Sequence, residues 1–393
     1  MYFRNVALDD YRSYRSLVVE LEPGVCVLVG RNGQGKTNFI EALTYLSTLH
    51  SHRVSADTAL VRYPLAGEEP PAAGVIRVKV IEEERARLVD LEIVAGKANR
   101  ARLGRSQVAP RDILGEVLTV LFAPEDLDIV RGGPDGRRRF LDDLIATRVP
   151  VMAGIFAEHA RILRQRAALL KRACAQVKRG VPADLSTLDV WDAQLAGVAA
   201  RIIVERHRLV SSLAPHIARM YEVVSEGSSV LSAHYAAQLT RHVSDVDLGD
   251  ETAVRTSLLE AYAGARDDEA RRGANLVGPH LDDLVLTLGG MPVRGFASHG
   301  ETWSTALALR LAHFELTRSE GRIPVLVLDD VFAELDASRR RALLDVMADA
   351  EQVLITAAVE DDIPTSLRAT LYRVERDLDG VTTMMRLQGA ADE

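Results

Sequence analysis

Cysteine is nearly missing from this 393-residue chain, where only Cys26 and Cys174 occur. Two cysteines build no disulfide framework, so the expectation is a cytoplasmic protein held together by its core. Cys26 sits in an apolar stretch and reads as a small buried hydrophobe. Lysine is scarce as well: Lys36, Lys79, Lys97, Lys171 and Lys178 stand against an abundance of arginine. A net charge of −8 excludes a surface coated in nucleic-acid-binding cations but leaves room for a local basic groove. No apolar run approaches the ~20 residues of a membrane-crossing helix. The opening Met1-Tyr2-Phe3-Arg4-Asn5 has no signal-peptide apolar region. No zinc-finger or helix-turn-helix pattern occurs. What is present is 47% hydrophobic and 26% charged residues, in a chain long enough for a sizeable core.

Gly30-Arg31-Asn32-Gly33-Gln34-Gly35-Lys36-Thr37 fits G-x-x-x-x-G-K-[ST]. It lies between an apolar strand pattern at 25–29 and a helical one at 38–48. Strand, glycine loop and helix in that order are what a nucleotide phosphate site needs. The glycines turn backbone N–H groups toward phosphate oxygens, and the helix N-terminus adds partial positive charge. Lys36 is expected to reach the β/γ-phosphates of ATP and Thr37 to hold Mg²⁺.

Strand patterns fill much of the first 120 residues, at 2–9, 16–21, 75–81, 87–94 and 117–122. Residues 66–74 carry Pro and Gly and read as a surface loop. From about Pro124 the pattern turns helical. On a helical wheel over 154–179, Ile155, Ile162, Leu163, Leu169, Leu170, Ala173 and Val177 share one face. Arg161, Arg164, Lys171, Arg172, Lys178 and Arg179 share the opposite one, with Arg166 the exception on the apolar side. A second helix is expected over 188–224, packed with the first as an antiparallel hairpin. Strand patterns return at 284–288, 325–328, 353–356, 370–375 and 381–387, with helices at 302–319 and 338–348 between them. The fold class is therefore α/β, a mixed sheet with flanking helices split by a helical insertion. The expected organisation is a head lobe over 1–122, the insertion over 123–272 and a second head lobe over 273–393, the two lobes completing one sheet. Residues 389–393 read as a frayed tail.

Val325-Leu326-Val327-Leu328-Asp329-Asp330 is an apolar strand ending in two acids. An open α/β sheet delivers carboxylates to its ligand cleft in this way. Asp329 is expected to act on Mg²⁺ beside Thr37. Asp330 is expected to orient or deprotonate the attacking water. Phe332-Ala333-Glu334-Leu335-Asp336 continues this as a D-loop. Ser298-His299-Gly300-Glu301 precedes a long helix and fits a capping box. It also resembles the short Ser/Gly motif by which cassette ATPases bind the γ-phosphate held by another subunit. Both readings can hold, because a capped helix N-terminus is itself an anion site.

The order of these pieces resembles the RecF family, bacterial recombination mediators in the ABC-type ATPase superfamily. The resemblance is carried by Asp10-Tyr11-Arg12-Ser13-Tyr14, the phosphate loop, Ser51-His52-Arg53, Pro124-Glu125-Asp126-Leu127, Arg137-Arg138-Arg139-Phe140-Leu141-Asp142, Gly278-Pro279-His280, Ser298-His299-Gly300-Glu301 and Leu328-Asp329-Asp330-Val331. It implies an ABC-type head and an ATP-driven homodimer that binds single-stranded or gapped DNA. It also implies loading of recombinase through mediator partners of the RecR/RecO type, at no membrane. In that picture Lys36 and Thr37 of one chain face Ser298 and Gly300 of the other, and slow hydrolysis opens the clamp. Arg12 and Arg53 are candidates to clamp phosphate, and Glu125 to sense the metal. RecF proteins typically carry arginine where this chain has Leu281. For DNA, the candidates are Arg137, Arg138, Arg139, Arg164, Lys171 and Lys178, although a charged helix face is ordinarily just solvated. A transporter subunit is disfavoured, for the chain lacks a Leu-Ser-Gly-Gly-Gln signature and has Thr356 where a histidine would follow the 353–355 strand. Another SMC/Rad50-like ATPase and a small-molecule kinase remain alternatives.

Overall fold

The computed structural model describes residues 1–387 apart from 66, 183–184, 226–228, 333–334 and 365–366. The expected tail and the D-loop residues Ala333 and Glu334 fall outside the described residues. In chain order come β1 (Tyr2–Tyr11), β2 (Tyr14–Glu20), β3 (Gly24–Val29), α1 (Lys36–Thr48), β4 (Ala73–Glu82), β5 (Arg85–Val94), β6 (Arg100–Leu103), β7 (Ser106–Val108) and β8 (Thr119–Phe122). Next are α2 (Leu127–Arg131), α3 (Pro134–Arg148), α4 (Val151–Lys178), α5 (Leu188–Ser225), β9 (Leu231–Ala236), α6 (Glu251–Arg272), β10 (Asp283–Leu288), β11 (Met291–Pro292) and the single turn α7 (Val293–Phe296). The chain closes with α8 (His299–Ser319), β12 (Val325–Leu328), α9 (Ala337–Met347), β13 (Gln352–Ala357), β14 (Ala369–Arg376) and β15 (Thr382–Arg386).

Two compact units result, one of Met1–Leu127, Arg219–Val230 and His299–Glu393, the other of Asp128–Ala218 and Leu231–Ser298. The first unit holds two six-stranded sheets, ordered β2-β1-β4-β5-β6-β7 and β15-β14-β3-β13-β12-β8. Pairing in the first is antiparallel throughout. In the second, every pair but β14–β15 is parallel. Its central strands are largely apolar, as strands covered on both faces must be, with the buried Gln352 and Thr356 of β13 the polar exceptions. Val325, Leu326, Val327 and Leu328 are all fully buried. One core joins both sheets through α1, whose Phe39, Ile40, Leu43 and Leu46 are fully buried. The polar residues of α1 that share this burial are bonded rather than stranded. Ser47 Oγ lies 2.8 Å from Thr119 Oγ1, and Thr44 donates to the Ile40 carbonyl at 3.1 Å.

The second unit is mostly helical. Ile162 of α4, Leu195, Ala199 and Ile203 of α5, and Val254, Leu258 and Tyr262 of α6 share a core. The expected two-helix hairpin is thus a three-helix arrangement, with α4 lying along α6. Asp250 caps α6 by accepting from Thr252 and Ala253 N–H groups, and Gly273 ends it in the left-handed conformation. The 284–288 strand does not join the head sheet as expected. It is β10, in a three-stranded antiparallel sheet ordered β11-β10-β9. The physical reason is visible in its burial: Leu284 and Leu286 are buried while their neighbours are not, the alternation of a one-sided strand.

Arg166 is fully buried, donating to Asp192 Oδ1 at 2.7 Å, Asn275 Oδ1 at 2.8 Å and Glu269 Oε2 at 2.6 Å. Its guanidinium carbon lies 5.2 Å from the Tyr262 ring centre. A buried arginine on an apolar helix face is tolerable only with such a full set of acceptors.

Candidate active site

Gly30 to Thr37 connect β3 to α1, and the loop is gripped from the protein side. Gly30 N–H donates to the Ala357 carbonyl at the end of β13. A side chain at Gly30 would place its Cβ 2.3 Å from the Val374 carbonyl oxygen, so the close approach of β14 demands glycine there. Gly35 has φ 109°, and a Cβ on it would meet Thr382 at 2.8 Å and Ser13 at 2.9 Å. Thr382 Oγ1 donates to the Gln34 carbonyl at 3.0 Å, and Gln34 Oε1 accepts from Arg376 N–H at 2.5 Å. The β14–β15 hairpin therefore shapes the loop, a role the sequence reading did not foresee.

The anion-binding character is local to α1. Its N-cap is Gly35, with no capping side chain, and its first turn carries no acid. Both leave helix N–H groups and dipole uncompensated by carboxylate, the arrangement phosphate prefers. Lys36 is 3% exposed and donates to the Gly30 carbonyl at 2.5 Å, with the Arg31 carbonyl at 3.4 Å.

Parallel pairing of β12 with β13 brings the acid-ended strand to this loop. Thr37 Oγ1 donates to Asp329 Oδ1 at 3.3 Å. Thr356 Oγ1 donates to the same oxygen at 2.6 Å. Burial pushes the Asp329 carboxyl up to about 6, with the charges of Asp330 and Glu125 adding to the rise against the hydrogen bonds of Thr356 and Thr37. A cation at this carboxylate would relieve that penalty. Hydroxyl and carboxylate are hard oxygen donors, which fits Mg²⁺. Among the described residues no cluster of three His, Cys, Asp or Glu could hold a metal.

Arg12 and Arg53 meet on Glu41 of α1, which is fully buried. Arg12 grips it through both oxygens at 2.7 and 2.6 Å and also donates to the Ala59 carbonyl. Ser51 Oγ donates to Glu41 and accepts from the N–H groups of Arg53 and Val54. Arg53 donates to Asn38 Oδ1 at 3.0 Å, one residue past Thr37. Arg12 is thus chiefly an internal brace, while Arg53 is the nearer of the two to the loop in sequence and contact. Glu125 is exposed, close enough for its charge to raise Asp329.

Ser298 directly precedes α8. A side chain on Gly300 would come within 2.9 Å of Arg339 Nη2. Arg339 also donates to Ser304 Oγ at 2.9 Å and to Asp336 at 2.7 Å, so α9 is tied to the first turns of α8. Trp303 Nε1–H donates to His299 Nε2 at 3.1 Å.

A protein-family model described as "RecF/RecN/SMC N terminal domain" matches residues 2–383. The DNA replication and repair protein RecF of Frankia alni is 50% identical over 95% of this chain and 98% of its own length. That of Beutenbergia cavernae is 52% identical over 93% of this chain and 96% of its own. The chain belongs to the RecF family. Among solved structures, the recombination mediator protein RecF-ATPrS in the RecFOR pathway aligns with TM-score 0.85 at 26% identity, over 98% of each chain. An Smc head bound to the C-winged helix domain of ScpA aligns with TM-score 0.54 at 15% identity, over 99% of this chain and 98% of its own, a likeness of fold. The first unit is an ABC/SMC-type head.

The RecF-like motifs of the second unit are largely bound to one another. Arg137 is 5% exposed, grips Asp283 at 2.6 and 2.9 Å, and donates to the Ile129 and Gly132 carbonyls. This corrects the expectation that it faces DNA: its guanidinium is consumed inside the unit. Arg138 donates to the Asp282 carbonyl and pairs with Asp135. Arg206 grips Asp142 at 2.8 Å and the Pro279 carbonyl at 2.7 Å. Burial lowers His159 to about 3 and His280 to about 4; their ring centres lie 6.2 Å apart, and His280 Nε2 lies 3.4 Å from the Asn275 carbonyl. Leu281 is 44% exposed. Asp282 and Asp283 on its C-terminal side already have partners, so the leucine strands no buried acid. Arg139, Arg164, Lys171 and Lys178 are exposed.

Proposed function

We propose that this RecF-family chain is an ATP-dependent DNA-binding protein of recombinational repair and replication, whose two-fold dimer clamps DNA and whose hydrolysis releases it. One observation carries the nucleotide half: Thr37 and Asp329, 292 residues apart in the chain, are hydrogen-bonded at 3.3 Å at the mouth of a glycine loop. The relatives' naming as DNA replication and repair proteins, and the RecF-ATP structure at TM-score 0.85 and 25% identity, support it. Mg²⁺ would be held by Thr37 and Asp329, where it supplies charge neutralisation at phosphate oxygens. The loop N–H groups and Lys36 bind and orient the phosphates. Asp330 orients water. Ser298 and Gly300 cap the phosphate held by the partner protomer. Single-stranded or gapped DNA is met by the exposed face Arg164, Lys171 and Lys178, and RecR/RecO-type mediators act downstream in the cytoplasm.

Light scattering with ATP, ADP and no nucleotide tests the shared site. Dimers are expected with ATP alone, and Ser298→Arg is expected to abolish them. ATP-dependent dimers that persist in the variant would remove Ser298 from the interface. For DNA, the triple variant Arg164→Glu, Lys171→Glu, Lys178→Glu is expected to weaken binding and flatten the log–log salt slope by about two to three units. Unchanged affinity across a salt titration rejects that face.

A further inference from the structure

We infer that Thr356 is a positioning residue for ATP hydrolysis, an inference that rests on the ATPase reading above. The residue is the last but one of β13, the strand between the two halves of the site. On one side β13 pairs with β12, which delivers the acids; on the other it pairs with β3, which feeds the phosphate loop. The side chain is 1% exposed and its hydroxyl is used in both directions. It donates to Asp329 Oδ1 at 2.6 Å and accepts the N–H of Asp330 at 2.8 Å. Asp330 Oδ1 lies 3.3 Å away, so the single hydroxyl proton goes to the nearer acid.

Asp330 needs such a hold. Its φ is 50°, the left-handed region that a side chain disfavours. The bond to its N–H fixes the peptide that carries the side chain toward the site. The next residue, Ala357, accepts from Gly30 N–H at the root of the phosphate loop. Two consecutive residues of one strand thus join the metal-binding carboxylate, the water-orienting carboxylate and the glycine loop. Valine has threonine's shape without the hydroxyl, and would take from the Asp330 N–H its acceptor and from Asp329 Oδ1 the closer of its two hydroxyl donors, leaving Thr37 at 3.3 Å.

The test is steady-state phosphate release by full-length Thr356→Val and Thr356→Ser, with ATP affinity measured by titration calorimetry. Thr356→Val is expected to lower kcat at least about tenfold, the scale of a hydrogen bond to a charged group, with KM for ATP changed less than threefold. Thr356→Ser is expected to recover most of the rate. Wild-type kcat in Thr356→Val overturns the inference, and so does a serine variant as slow as valine, or a loss expressed only in KM and affinity. A wild-type protein that binds ATP but releases no phosphate overturns the hydrolysis reading instead, and the positioning role with it.

Discussion

Replacing Arg166 by alanine is expected to lower the unfolding free energy of the helical unit by about 3 kcal/mol, at the low end of the range for breaking a buried ion pair. The low end follows from what survives. Asp192 keeps Arg266, which donates to it at 2.8 Å, and Glu269 keeps the Leu276 N–H at 2.8 Å. Each acid still loses a charged donor at full burial, and the Tyr262 face loses its cation. Urea unfolding followed by circular dichroism checks this, with the head's ATP affinity as an internal control. Arg166→Met should be nearly as damaging, because the stranded carboxylates and not the lost volume carry the penalty. A methionine variant as stable as wild type would show that the acids neutralise and that packing alone matters.

Lys36→Ala is expected to reduce kcat/KM for ATP by at least about 100-fold, the scale of removing one preorganised charge from a phosphoryl-transfer site. The lysine is nearly fully buried yet rests on two carbonyls of its own loop, so the fold does not depend on its charge. Melting temperature should therefore hardly move while phosphate release collapses. Lys36→Arg is expected to retain some ATP binding with impaired turnover, since a fork does not replace a point charge in a closed loop. Equal turnover in wild type and either variant would take Lys36 out of the mechanism.

Legibility in the sequence followed locality. Strand, glycine loop and helix occupy 25 consecutive residues, Gly24–Thr48, and need no partner to be recognised. The acid-ended strand was equally plain, because a four-residue run buried on both faces has no polar interruption. What stayed hidden is relational. Arg166 stood out on its helical wheel, but Asp192 and Glu269 lie 26 and 103 residues away. Arg137 looked like an exposed cation until β10 brought Asp283 beneath it. Thr356 was noticed only as a histidine's absence; its hydroxyl gains meaning from the register that sets it against Asp329. Helix α6 escaped because its buried stripe includes the small residues Ala261, Ala265 and Ala270, which give little apolar contrast. The strands β6 and β7 escaped because they are short and polar.

The place of β3 in its sheet has a consequence for biosynthesis. Its two neighbours, β13 and β14, are made more than 300 residues after it. A ribosome that has finished the phosphate loop and all of the helical unit still exposes a strand with neither edge matched. Nucleotide is not expected to rescue such an intermediate, since the loop's own walls, Ala357, Val374 and Thr382, lie far downstream of it in the chain. A chain cut short before β14 is therefore expected to lack the walls of its phosphate loop and to expose the unpaired edges of β3.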